Sequence, residues 1–172
     1  MMQDRVFAIA VCIVAISLAP VSLAEVQQEA AEAEDPLQVG LAAIDAGDLI
    51  GAVDSLRIAA EDGSSEAQVW LGYILDYSED DEEAVAFYRA AAEQGDARGI
   101  AGLAAMYAKG EGVEKDLDES RKYYMEAAEM GHAGSMRVLM VAYERGGLGV
   151  EPDGGQAEYW KSRLAELEAN EE

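Results

Sequence analysis

The chain has 172 residues, 35 of them acidic and 12 basic, and its formal net charge at pH 7 is −23. Nucleic acid and anionic lipid are bound through clustered Lys and Arg, so this balance argues against both as partners. The length suits one domain. The charge favours a basic partner or divalent cations, although general solubility in a salty habitat explains it equally well.

The first 24 residues have the pattern of a secretory signal peptide. Arg5 precedes an apolar run from Val6 to Ala19, and small residues stand three and one before a cut after Ala24. The run holds 14 residues, fewer than the roughly 20 that span a bilayer. We therefore expect a periplasmic or secreted protein that does not stay in the membrane after cleavage. An uncleaved anchor helix is the alternative.

Cleavage would also remove Cys12, the only cysteine of the chain. The mature protein would then have no disulfide, no thiolate metal site and no cysteine nucleophile. We expect residues 25–35 to form a flexible acidic leader and residues 168–172 an acidic tail. Charge is uneven between these ends: residues 25–95 hold 18 acidic and two basic residues, whereas residues 96–172 hold 16 and nine.

From Pro36 onward the sequence repeats itself. Residues 95–110 laid over 131–146 give five identical pairs in 16. These are Gly95/Gly131, Ala97/Ala133, Leu103/Leu139, Tyr107/Tyr143 and Gly110/Gly146. A shortened form recurs upstream, where Gly63 and Gly95 stand 32 positions apart. Fixed periods of this length indicate stacked repeats, and we place units at 36–63, 64–95, 96–131 and 132–167.

Each unit is predicted to contain two helices, with apolar residues four apart on one face of the first. Capping Asp residues, including Asp116 and Asp153, precede the second helices, and Gly residues close them. The unit at 64–95 lacks four residues between its two helices. Three aromatic residues at one place in the second helices should be buried between neighbouring helices: Phe87, Tyr123 and Trp160.

Two segments resemble Sel1-like repeats, which are related to tetratricopeptide repeats: GDARGIAGLAAMYAKGEGVEKDLDESRKYYMEAAEMG and GHAGSMRVLMVAYERGGLGVEPDGGQAEYWKSRLAEL. The resemblance implies an all-α, right-handed solenoid of antiparallel helix pairs. It also implies an adaptor or regulator that binds a protein or peptide and is not an enzyme. Alternatives are a cell-wall-associated hydrolase or its helper, as some disulfide-rich relatives suggest, and an acidic cation-buffering protein.

Residues that carry catalysis or bind cofactors are scarce in the sequence. His132 is the only histidine and follows a helix-closing Gly, where it should cap the next helix. The acidic run Glu79–Glu83 lacks the ligand spacing of an EF-hand loop and should open a helix capped by Ser78. The Gly-rich loops lack the Lys-Ser/Thr pair of a phosphate-binding loop. We therefore predict no catalytic residue, no cofactor and no metal site.

The resemblance also implies where a partner would bind, because first helices of such pairs line the concave face of a solenoid. The predicted binding residues are Glu66, Val69, Tyr73, Asp76, Arg98, Ala105, Arg137, Val141 and Glu144. Tyr73 beside carboxylates suits a partner that carries Lys or Arg next to an apolar residue. An ordinary solvated face is the alternative.

Overall fold

The structure, a computed structural model, describes residues 35–170. The predicted signal peptide, the leader up to residue 34 and the last two residues lie outside this range. Eight helices occupy the described part of the chain. They are α1 Pro36–Asp45, α2 Leu49–Glu61, α3 Ser65–Tyr77, α4 Asp81–Glu93, α5 Ala97–Lys109, α6 Leu117–Glu129, α7 Ala133–Arg145 and α8 Gly154–Asn170.

Each helix packs against the next one in the chain, and α3 also contacts α5. The first helices of the second and third pairs therefore lie side by side, as they do in a repeat stack. The described residues contain no strand, only an isolated bridge between Gly147 and Val150. The prediction of an all-α helical-repeat solenoid is confirmed. Within residues 35–170 no helix is both long and apolar enough to cross a membrane.

The helix ends follow the capping residues of the sequence. Asp35 accepts a hydrogen bond from the amide of Leu37, and Pro36 is the first helical residue. Asp116 and Asp153 each accept two amide hydrogen bonds at the starts of α6 and α8. Ser78 was predicted to cap α4, but it ends α3 instead, and its hydroxyl donates to the carbonyl of Ile74. The residue that precedes α4 is Asp80.

The shortened repeat has the predicted form. Residues 78–80 join α3 to α4, whereas residues 110–116 join α5 to α6, a difference of four. The longer loop packs on the start of α4. A Cβ on Gly112, where φ is 65°, would lie 2.6 Å from the carbonyl carbon of Asp81. This contact therefore requires glycine.

The core is built from leucine, methionine and many alanines between the helices. The largest fully buried apolar side chains are Leu56, Leu71, Met106, Met136 and Leu139. Small residues let the helices approach closely; for example, Ala84, Ala91, Ala127 and Ala128 are fully buried. In the described residues, this apolar surface between neighbouring helices supplies most of the stabilising burial.

The prediction of three buried aromatic residues is correct only for Trp160, which is 3% exposed. Phe87 and Tyr123 are half-buried. Phe87 lies under the guanidinium of Arg57, and Tyr123 stacks on Tyr107 with 5.7 Å between ring centroids. The enclosed aromatic residue of α4 is Tyr88. Its ring fits against glycines of α3 and α5, which leave a space that Phe87, one position earlier, does not reach.

The structure describes the predicted acidic tail, residues 168–172, only as far as residue 170. Helix α8 continues through Asn170, so residues 168–170 are helical. Glu168 accepts a hydrogen bond of 2.9 Å from Arg137 and so ties α8 to α7.

Candidate functional site

A groove of about 590 Å³ runs across α3, α5 and α7, and its walls are mainly apolar. We call it the apolar groove. Its lining residues are Val69, Trp70, Tyr73, Tyr88, Arg98, Ala101, Gly102, Tyr124, His132, Gly134, Ser135 and Val138. Most come from the first helices of three successive pairs. The second helices α4 and α6 contribute Tyr88 and Tyr124 between them.

Three of the predicted binding residues line the apolar groove: Val69, Tyr73 and Arg98. Tyr73 is 51% exposed, although its ring packs edge to face on Trp70 at 6.1 Å. Glu66, in the first turn of α3, pairs with Arg98 at 3.6 Å. The groove therefore brings together three residues of the predicted set from two successive repeats.

The sequence reasoning missed several groove residues, among them Tyr88, Tyr124 and Val138. A signal for two of them was present, because Tyr88 and Tyr124 stand 36 positions apart, which is the repeat period. The prediction of buried aromatic residues instead named their neighbours, Phe87 and Tyr123. Burial raises the pKa of Tyr88 and of Tyr124 above that of an ordinary tyrosine, so both stay neutral groove residues.

Other predicted binding residues do not line the groove: Ala105, Arg137, Val141 and Glu144. Arg137 is held by Glu168, and Glu144 lies 3.7 Å from Arg145. Val141 is 41% exposed on α7. The structure thus gathers the first part of the predicted set and leaves these four away from the groove.

A second pocket of about 580 Å³ adjoins the groove, and Tyr73 lines both. We call it the acidic bay. Its lining residues are Tyr73, Asp76, Tyr77, Glu79, Asp81, Lys109 and Glu111. The bay joins the C-terminal ends of α3 and α5 to the start of α4. Of the predicted binding residues, it contains Tyr73 and Asp76.

The bay holds more negative than positive charge. Carboxylate oxygens of Asp76, Asp81 and Glu111 lie within 4.8 Å of one another. Lys109 donates to Asp76 at 2.8 Å and pairs with Glu111 at 2.8 Å, and these contacts raise the pKa of its ammonium group. Desolvation, with the nearby charge of Glu111, raises the pKa of Asp81. Oxygen donors of this kind suit calcium, but here the ammonium group of Lys109 already contacts two of the three carboxylates.

His132 forms part of the far wall of the groove. It is the N-cap of α7, as predicted: Nδ1 accepts from the amide of Ser135 at 3.2 Å and lies 2.8 Å from the Ser135 hydroxyl. Burial lowers the pKa of the imidazole. Asp96 opposes this shift, and the charges of Arg98 and Arg137 add to it. The geometry is that of a capping residue.

Comparison with protein families agrees with the architecture. Residues 65–96, 97–132 and 139–168 match the Sel1 repeat. These segments cover more than half of the chain, which therefore belongs to the Sel1 repeat family. The matched segments do not include the first helix pair, α1 and α2. Sel1 repeat proteins generally mediate protein–protein interactions, and their fold is typically a scaffold without catalytic activity.

Two solved structures resemble the chain. A Sel1 repeat protein from Oxalobacter formigenes is 30% identical with a TM-score of 0.69, and the match covers 76% of this chain and 55% of that one. A protective antigen of uropathogenic Escherichia coli, which displays an SLR fold, is 33% identical with a TM-score of 0.68. That match covers 85% of this chain and 33% of the antigen. Among curated proteins, no match was found.

Proposed function

We propose that this protein is a periplasmic or secreted adaptor or regulator that binds a segment of another protein. The segment would place an apolar side chain in the apolar groove and a Lys or Arg side chain in the acidic bay. The observation that carries this proposal is the position of Tyr73, which lines both pockets. One exposed aromatic ring therefore stands between an apolar surface and an acidic one.

The aromatic content of the groove supports a role in binding. Trp70, Tyr73, Tyr88 and Tyr124 present large rings in one concavity. Aromatic rings bury much area at a small cost in conformational entropy and are enriched at interface hot spots. Since Tyr73 remains 51% exposed, it has area left for a partner to cover.

Charge supports a basic partner. The two cationic side chains that line these pockets are already neutralised within the chain, Arg98 by Asp96 at 2.8 Å and Lys109 by Asp76 and Glu111. Glu79 and Asp81 add further negative charge to the bay. A Lys or Arg of the partner would be attracted by this excess negative charge. The attraction would mainly raise the association rate, and it would weaken with added salt.

Export is part of the proposal and rests on residues 1–24. The protein would reach the periplasm or the medium once this segment is cleaved after Ala24. N-terminal sequencing of the protein released by osmotic shock tests this step, and we expect the mature chain to start at Glu25. A chain that retains Met1 in the membrane fraction would contradict it.

Site-specific photocrosslinking tests the binding surface in the intact cell. A photoreactive phenylalanine analogue replaces Tyr73 in one variant and Tyr159 in the other. Tyr159 is a matched control: it is 50% exposed, packs edge to face on Trp160 and lies on α8, away from both pockets. We expect a discrete crosslinked protein from position 73 and none from position 159. Equal crosslinking at both positions would contradict the proposed surface.

A further inference from the structure

The capping contact at the start of α7 depends on protonation. The amide of Ser135 donates to Nδ1 of His132, so this nitrogen must carry a lone pair and the ring must be neutral. A protonated imidazole donates from both nitrogens and cannot accept this bond. It would also place a positive charge at the positive end of the helix dipole.

The cap is part of the wall of the apolar groove. His132, Gly134, Ser135 and Val138 all line it, so the first turn of α7 shapes that end of the concavity. The ring fits closely there, since a Cβ on Gly134 would lie 2.9 Å from Cε1 of His132. Loss of the cap would therefore change the groove directly.

Some charged groups of the neighbouring elements favour the protonated form of the His132 ring, and others oppose it. Asp96, at the start of α5, favours the protonated form, whereas Arg98 of α5 and Arg137 of α7 oppose it. Arg137 is itself paired with Glu168 of α8, and α6 contributes the neutral Tyr124 to the same groove. Half-burial of the imidazole also disfavours the protonated form.

We propose that His132 makes the apolar groove sensitive to pH: its protonation releases the first turn of α7 and weakens the binding of an apolar segment. This regulation rests on the proposed function, since the groove is the binding surface. Burial holds the pKa of His132 below 6.5, its ordinary value. The neutral cap thus stabilises the fold fully above pH 6.5, and this contribution is lost as the pH falls from there through the folded pKa.

Two substitutions separate titration from capping. His132→Asn keeps a good N-cap without a titrating group, whereas His132→Ala removes the cap at every pH. Hydrogen exchange of the Ser135 amide, followed by NMR between about pH 7.5 and pH 5.5 and corrected for the intrinsic pH dependence of exchange, reports on the cap. We expect protection in the parent to fall about fivefold over this range, as loss of a typical cap implies. Protection in the Asn variant should stay constant.

The same variants test binding, with an acetylated and amidated Leu-Arg-Leu peptide as the probe. We expect the affinity of the parent to fall about twofold or more between these pH values and that of His132→Asn to change less than twofold. The Asn variant also controls for Asp81, whose pKa is raised in the bay. An equal fall in both proteins, or unchanged Ser135 protection in the parent, would overturn the role of His132. A peptide that fails to bind the parent at either pH would contradict the proposed partner class, while the exchange data would still decide whether the cap titrates.

Discussion

The ring of Tyr88 lies directly over Gly72. A Cβ on this glycine would come within 2.7 Å of the tyrosine ring, and Tyr88 is only 6% exposed. The contact joins α4 to α3 and holds the Tyr88 ring in place between α3 and α5, where it lines the groove. Glycine at position 72 is therefore a requirement of packing, not of backbone conformation.

Gly72→Ala should lower the free energy of unfolding by about 1–3 kcal/mol, because overpacking outweighs the helix propensity that alanine gains. Urea denaturation measures the change. Gly154→Ala is the control, since Gly154 is also helical and has no atom within 4 Å of its ideal Cβ. This second variant should be neutral or slightly stabilising. If the two variants were equally stable, the close packing of Tyr88 on α3 would be contradicted.

Trp160 anchors the last helix in the cluster formed with Ala128, Met136 and Leu139. Trp160→Ala should cost on the order of 3–5 kcal/mol, as large-to-small core substitutions do. Thermal and urea melts with Tyr159→Ala as the exposed control measure the difference.

The Nε1 atom of Trp160 is buried without a hydrogen-bond partner. Trp160→Phe should therefore cost much less than the alanine variant, since it removes that unpaired donor and keeps an aromatic ring. Near-equal costs for the two variants would contradict this.

Asp96 should give a stability difference that disappears in acid. Its carboxylate accepts hydrogen bonds from Arg98 and Ser65, and the bond from Arg98 is the main cause that holds its pKa below 3.8. Asp96→Asn preserves the helix cap but removes the ion pair. This substitution should lower the free energy of unfolding by about 1 kcal/mol or less near neutral pH, because Arg98 is half exposed and the ion pair is screened by solvent.

The sign of this effect follows from the lowered pKa. The ionised form is favoured by folding, so its contribution is present above pH 3.8 and is lost as the pH falls through the folded pKa. Urea melts of parent and Asp96→Asn at about pH 7 and about pH 2 should show the gap closing in acid. A gap of the same size at both pH values would mean that hydrogen-bond geometry, not charge, produces it.

The repeat architecture could be predicted from the sequence because each unit uses the same local signals. Asp caps, closing glycines and apolar residues four apart recur at fixed spacing, and each determines a nearby part of the backbone. The shortened linker at 78–80 was predictable for the same reason. Such signals act over a few residues and do not depend on which helices meet.

Which aromatic side chain is enclosed was less predictable, because it depends on space left by another helix. Tyr88 and Phe87 are adjacent and similar in size, and only the glycines on α3 and α5 decide between them. Only Tyr73 and Asp76 of the acidic bay were predicted, for a related reason. It forms where Lys109 of one repeat reaches Asp76 of the previous one, 33 positions earlier in the chain. Sequence spacing identified the helices but not these contacts between them.

Selection from a displayed library of random 12-residue peptides on the purified protein shows which peptide segments the protein binds. We expect enrichment of peptides with Lys or Arg next to a bulky apolar residue. We also expect that Tyr73→Ala loses this enrichment while Tyr159→Ala, equally exposed in the parent, keeps it. Circular dichroism would confirm that both variants are folded. The same enriched motif on Tyr73→Ala as on the parent, or enrichment of acidic peptides, would contradict binding of a basic and apolar segment at Tyr73.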